Sequence, residues 1–387
     1  MDFTKTTNFM DSLSTYGIPG ADLAVFIEGK EVYRYFTGYA DVESQIPVAP
    51  DTLFPIYSMT KVITCAAALR LFEEGRFLLN DPLADYMPEF KKMTVRLTRG
   101  NGSMVEEPAR NPIRIADLFT MSSGYTYDTS GYAAFTKRNK SNFSLKEMAS
   151  ALAKAPLCFE PGTRWNYGFS HDILGALIET LSGKTLGEYF YENIFAPLGM
   201  TETSFKVKKE KHYRLATCYT YNAKERTHAK TDVALPLAYL NPSSVYYLSD
   251  DYALEMPGGG LISTVDDYAK FANALCAGGT AENGYRLLSK ATIELMRTNH
   301  LDDIRMRDYD WVSHEGYGYG LGVRTLVDRA AGGINSSIGE FGWAGLAGTY
   351  VLIDPARRLT YVYAQQVFPS YEEIIAPRLK NVVYGCL

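Results

Sequence analysis

Residues 56–61, "IYSMTK", set Ser58 three places ahead of Lys61. Residues three apart share a helix face, which puts the hydroxyl beside the amine. The tetrad Ser-x-x-Lys arises by chance about once in a chain of this size, and alone it reads equally as a helix cap followed by a solvated lysine. The run after Lys61 argues for more. "VITCAAALRLF" is apolar on nearly every side, predicting a buried helix that carries Lys61 into a low-dielectric site. Desolvation there lowers the lysine toward a neutral, proton-accepting amine. The helix N-terminus adds a positive field and a backbone N–H for an oxyanion. Together these meet the needs of nucleophilic catalysis without histidine.

Two further stretches hold candidates. In "FEPGTRWNYGFSHDILG", residues 159–175, Tyr167 falls in a loop between a Pro-Gly turn and a helix, where a tyrosine either packs or acts. His171 follows closely; a histidine in a first helical turn is ordinarily exposed or capping, and less often touches substrate. In "GEFGWAGLAGTYVLIDP", residues 339–355, Gly345 and Gly348 stand at the entrance to a strand. Missing side chains there permit close backbone approach by a ligand, or equally make a bulge.

The elements that must position these groups are legible as patterns. Residues 4–16 look helical, and "ADLAVFIEGKEVYRYFTGYADV" alternates about a pivot at Glu28, Gly29 and Lys30, a hairpin signal. "GTYVLIDPARRLTYVYAQQ" gives a second hairpin turning at Asp354–Ala356, followed by a helical pattern from about Tyr371 to Tyr384. Between them lie helical patterns: "HDILGALIETLSG" with Ser170 as its cap, and "STVDDYAKFANALCAGG" with Ser263 and Asp266 spaced as a capping box. "TVRLTRGNGSMVEEPA" predicts a small excursion hairpin, and the tyrosine-rich 239–260 a long loop walling a cleft. The expected fold is α/β of the α+β type: one antiparallel sheet built from both termini and flanked by helices, with a mostly helical domain inserted. We place the sheet domain at 1–85 and 255–387 and the insert at 86–254.

In this order, Ser-x-x-Lys, the tyrosine of "PG-x-x-W-x-Y", "GGGLISTVDDYAKF" at 258–271 and "GWAGLAGTY" at 342–350 resemble the serine beta-lactamase and penicillin-binding-protein superfamily, class C branch. "LFTMSSGYTY", "FAPLGMTETSF" and "GYGLGV" match as well, from about residue 20 to about 366. The resemblance implies that Ser58 is the acylated nucleophile, Lys61 its base, and Tyr167 the phenol sharing its proton with lysine and leaving group. It puts the oxyanion hole at the backbone N–H groups of Ser58 and Leu346, and Trp343, Gly345, Tyr125, Tyr127 and His171 at the substrate.

The departures bear on substrate. Class C enzymes and transpeptidases usually carry Lys-Thr-Gly where this chain has Trp343, Ala344 and Gly345, and Tyr-x-Asn where Tyr167 is followed by Gly168 and Phe169. The form here is similar to family VIII carboxylesterases and the acyltransferase of lovastatin biosynthesis. It implies an acyl-enzyme acting on small ester or amide substrates, without a cofactor. Two other readings stay open. One is a class C-like beta-lactamase or D-amino-acid-directed peptidase, with Arg324 or Lys137 supplying the missing cation. The other is a binding module that lost turnover, against which the intact Ser58, Lys61 and Tyr167 stand.

Bulk properties narrow the rest. With 387 residues, 46% hydrophobic and 21% charged, the chain has ample material for a large core. A net charge of -5 and no clustered Lys and Arg remove the electrostatic basis for binding nucleic acid. Five cysteines at irregular spacing read as buried thiols of a reducing compartment, and five scattered histidines give no metal-ligand pair. No basic, then apolar, leader opens the chain, and no membrane-length apolar run occurs, so a cytoplasmic location is expected. The 29 tyrosines and 19 phenylalanines suit an aromatic-walled cleft. No Gly-x-Ser-x-Gly elbow appears, which disfavours an α/β-hydrolase.

Overall fold

Two hairpins set the frame. Strands Gly20–Ile27 and Lys30–Asp41 turn at Glu28 and Gly29, whose φ angles of 53° and 78° are those of a two-residue turn matched to strand twist. Near the other end, Tyr350–Asp354 and Leu359–Gln365 are joined around Pro355. There Asp354 Oδ1 accepts the N–H groups of Ala356 and Arg357 at 3.0 and 3.2 Å. The hairpins lie side by side, Gly20–Ile27 pairing with Leu359–Gln365 so that Ala24 faces Val362. In this computed structural model, which describes residues 1–127, 143–231 and 253–387, they form the middle of one eight-stranded sheet. From edge to edge its order is Tyr317–Tyr319, Arg324–Leu326, Phe341–Ala344, Tyr350–Asp354, Leu359–Gln365, Gly20–Ile27, Lys30–Asp41 and Ile46–Pro47. Every neighbouring pair is antiparallel.

Alternation sends each strand's side chains to two cores. Leu23, Val25, Tyr361 and Tyr363 join Met10, Leu13 and Leu379 on the face covered by the N-terminal helix Thr4–Asp11 and the last helix, Glu372–Tyr384. Ala24, Val362 and Ala364 face the other way, toward the helix Val265–Cys276. On that side Ser170–Ser182 packs against Thr60–Glu73, Ile115–Phe119 and Leu145–Leu152. One apolar cluster holds Leu69, Phe119, Ile173 and Leu177 together with Phe341 and Val351, so the described residues of the helical region share a core with the sheet.

Local expectations mostly hold, with two corrections. The excursion hairpin forms from Thr94–Thr98 and Met104–Pro108. The helix Ser170–Ser182 ends at Gly183 with φ 71°, the left-handed stop glycine allows. Ser170, however, is not its cap: the Ser170 hydroxyl pairs with Ser123 Oγ at 2.8 Å, across 47 residues. Nor does Ser263 cap the later helix; Thr264 does, its Oγ1 accepting Asp267 N–H at 3.1 Å, while Ser263 pairs with Thr203. Of the loop expected at 239–260, residues 239–252 lie outside the described residues. No described helix is long and apolar enough to cross a membrane.

Candidate active site

Ser58 sits in a single 3-10 turn, Tyr57–Met59, that runs into the helix Thr60–Glu73. The segment is clamped along its length. Gln366 Nε2 donates to Pro55 O at 2.9 Å, Thr349 Oγ1 to Ile56 O at 3.1 Å, and Tyr268 OH to Met59 O at 2.9 Å. These bonds hold Tyr57 at φ 43°, a left-handed setting that costs a non-glycine residue about 1–3 kcal/mol. Gly345 lets the strand Phe341–Ala344 continue directly past this turn, because a Cβ there would stand 2.4 Å from Ile56 O. The next residue, Leu346, lines the same cavity as Ser58, and its N–H takes no acceptor among the described residues.

The serine helix is buried from Thr60 to Leu69, so its first turn carries Lys61 wholly out of water. Lys61 Nζ lies 3.2 Å from both Ser58 Oγ and Tyr127 Oη, bonds Gly258 O, and sits 4.7 Å above the Tyr167 ring. Burial on its own would lower the lysine. The Tyr127 and Tyr167 oxygens and the Asp172 carboxylate outweigh it and raise Lys61 above the ordinary lysine value. The lowered, neutral amine expected from the sequence is thus corrected: Lys61 is raised toward the ammonium, with Tyr127 and the Tyr167–Asp172 segment outweighing burial. Burial likewise keeps Tyr127 a protonated phenol, Lys61 opposing it only in part.

Tyr167 faces the same cavity, of ≈310 Å³. Trp343 donates its indole N–H to Tyr167 Oη at 3.1 Å and stacks on the ring at 5.7 Å and 27°. The aromatic wall continues through Trp311, 5.2 Å edge-on from Tyr167 and 42% exposed at the mouth. His314, also in the wall, is pushed down to about 2 by burial, with Arg324 adding to it, and is therefore neutral. Arg324 does reach the cavity, but its Nη1 pairs with Glu372 Oε1 at 2.9 Å. Lys137 lies outside the described residues.

Around one cavity, then, stand Ser58, Tyr127, Tyr167, Trp343, Gly345 and Leu346, with Lys61 beneath. Two expected substrate contacts are corrected. Tyr125 is a core residue, fully buried, whose hydroxyl donates to Leu152 O at 2.9 Å. His171 is fully buried, its Nε2 3.0 Å from Phe119 O and 3.6 Å from Cys65 Sγ. Burial, reinforced by Lys61, lowers His171 to about 3.

Sequence reasoning missed Asp172, which lines the cavity and accepts the Gly258 N–H at 3.0 Å. Burial raises its carboxyl to about 6 against the opposing pull of Lys61 and that N–H. The available signal was an aspartate inside "HDILGALI", an otherwise apolar helix. No group of three His, Cys, Asp or Glu able to hold a metal ion is found among the described residues.

An antiparallel sheet from both termini, a helix layer, and a serine beside a buried lysine at their junction mark the class as that of the serine hydrolases. The chain belongs to the beta-lactamase family, whose model matches residues 5–383. Among its relatives, Protein Rv1367c of Mycobacterium tuberculosis is 34% identical over 86% of this chain and 82% of its own length. Esterase EstB of Burkholderia gladioli is 29% identical over 97% of this chain and 93% of its own. Among solved structures, EstCE1, a hydrolase with promiscuous acyltransferase activity, superposes with a TM-score of 0.81 at 24% identity, covering 99% of each chain. Simvastatin synthase (LovD) of Aspergillus terreus gives 0.82 at 22% identity, covering 100% of this chain and 99% of the other.

Proposed function

We propose that this protein is a serine esterase, able also to pass an acyl group to an alcohol, with Ser58 as nucleophile and Lys61 and Tyr167 as its proton-transfer unit. The observation that carries the reading is the 3.2 Å approach of Ser58 Oγ to the buried Lys61 ammonium, beside a phenol whose oxygen is fixed at 3.1 Å by Trp343. In this reading the Tyr167 oxygen is the base that takes the Ser58 proton, with the Lys61 ammonium 4.7 Å from its ring. Ser58 Oγ then bonds the ester carbonyl carbon, and the carbonyl electrons move to oxygen, which the N–H groups of Ser58 and Leu346 hold. Collapse of this intermediate breaks the bond to the alkoxide, which takes the proton from Tyr167. Water or an alcohol repeats the sequence in reverse and frees Ser58.

The substrate class follows from charge. The indole N–H of Trp343 is spent on Tyr167, and Arg324 is matched by Glu372, so a carboxylate entering the aromatic wall finds no unmatched cation among the described residues that line the cavity. Uncharged acyl chains gain about 0.8 kcal/mol per buried CH₂ there. Esterase EstB, at 29% identity, supports the ester reading by its name. Intact-mass spectra after treatment with a fluorophosphonate test the nucleophile. One adduct is expected, absent from Ser58→Ala; an adduct that persists in the variant removes Ser58 from this role.

A further inference from the structure

Asp172 is the group at this site that the acyl-enzyme chemistry leaves without a task. It lies in the first turn of the helix Ser170–Ser182 and is 3% exposed. Buried carboxylates ordinarily pair with a cation, yet no Arg or Lys lies within ion-pair reach of Asp172 among the described residues. What meets it is a backbone. Gly258 donates its N–H to Asp172 Oδ1 at 3.0 Å and offers its C=O to Lys61 Nζ. The residue between them has to be glycine, since a Cβ on Gly258 would stand 2.7 and 2.8 Å from the two carboxylate oxygens. One residue, 86 positions from Asp172 and 197 from Lys61, therefore couples the anion to the cation.

We propose that Asp172 is a positioning residue for the catalytic pair: through the Gly258 backbone it holds Lys61 in place and balances its charge, so that Tyr167, not the lysine, receives the Ser58 proton. The inference rests on the acyl-enzyme reading above. A carboxylate placed this way polarises the Gly258 amide, enriches its carbonyl and favours the ammonium over the free amine. The other titratable groups around Asp172 do not replace it. Lys61 is the partner itself, Tyr127 is held protonated by burial, and the adjacent His171 is neutral with Cys65 as neighbour. From the Gly258 segment, Glu255 turns away to accept the Gly187 N–H at 2.6 Å. Asp172 ionises at about 6, where burial has raised it, so its ionised, working form is lost as pH falls through that value.

Asp172→Asn keeps the shape and an acceptor for Gly258 while removing the charge. Its kcat for p-nitrophenyl butyrate should fall at least about tenfold with KM within about twofold, and fluorophosphonate labelling of Ser58 should slow in parallel. The wild type should lose kcat/KM below about pH 6, and the variant should lack that limb. Melting temperature, read alongside, should change little, since Asn keeps the shape of the side chain and an acceptor for the Gly258 N–H. A merely structural aspartate would give the reverse, a lower melting temperature with kcat and the acidic limb intact, and that result overturns the proposal. A second measurement needs no variant: a wild-type kcat/KM that stays flat from pH 8 to pH 5 also overturns it. Absence of any Ser58 adduct in the wild type would fell the acyl-enzyme reading itself, whereas normal labelling with an Asn variant of wild-type kcat fells only the role of Asp172.

Discussion

Replacing Trp343 by Phe isolates one hydrogen bond of the site. The indole is 4% exposed and lies stacked on Tyr167 at 5.7 Å, an arrangement that a phenyl ring can largely keep. What Phe cannot supply is the N–H that reaches Tyr167 Oη at 3.1 Å. That bond matters most when the Tyr167 oxygen is negative, because a donor to the charged form stabilises it selectively. Leaving the charged oxygen without its donor costs about 1–3 kcal/mol, or a factor of about 5 to 150 in kcat/KM. The smaller ring also opens a void, so loss of packing has to be separated from loss of the bond. A double-mutant cycle with Tyr167→Phe does this, using p-nitrophenyl butyrate and single-turnover acylation rates. Coupling of at least about 1 kcal/mol is expected, with Trp343→Phe nearly silent once the phenol is gone. Equal losses in both backgrounds would mean that Trp343 acts through packing, and the proton-transfer role drawn for the 3.1 Å contact would be wrong.

Three further outcomes are expected. Lys61→Ala and Tyr167→Phe should each lower kcat by at least about a hundredfold and together by far less than the product, as one coupled unit does; near-normal turnover in Tyr167→Phe refutes the pairing. Short-chain p-nitrophenyl esters should exceed nitrocefin and benzylpenicillin in kcat/KM by at least about a hundredfold, since the lactam carboxylate loses water without gaining an ionic partner, about 1–3 kcal/mol; parity would bring the beta-lactamase reading forward. His171 concerns stability: its folded value is lowered to about 3, below the ordinary 6.5, so its contribution is complete above about pH 6.5 and is lost by up to about 1.4 kcal/mol per unit as pH falls further. His171→Gln should therefore show a shallower fall in melting temperature between pH 6.5 and 5 than the wild type, and parallel curves would contradict the assignment.

The sheet was readable because its signals are local. Two-residue periodicity marks the strands, and Glu28–Gly29 and Asp354–Pro355 mark turns by chemistry confined to a few residues. Burial of the serine helix was readable for the same reason, from one uninterrupted apolar run. What failed was decided across distance. Ser170 and Ser263 had the right type and spacing for caps, but each hydroxyl found a partner 47 or 60 residues away. The charge on Lys61 was misjudged on the same ground: its burial is local, whereas the groups that reverse the effect of burial come from residues 127, 167 and 172. Tyr125 and Tyr127 stand two places apart in one loop, yet one hydroxyl meets Leu152 O and the other Lys61, a difference composition cannot resolve.

The pairing of Gly20–Ile27 with Leu359–Gln365 also governs when the protein can become an enzyme. Ser58 and Lys61 leave the ribosome early, yet the N–H of Leu346 and the side chains of Thr349 and Gln366 that clamp the serine turn arrive near the end of synthesis. A nascent chain thus carries a nucleophile without its oxyanion site or its backbone restraint. Closing so long a loop makes sheet formation slow relative to the local helices. Chemistry is thereby withheld until the last strands dock.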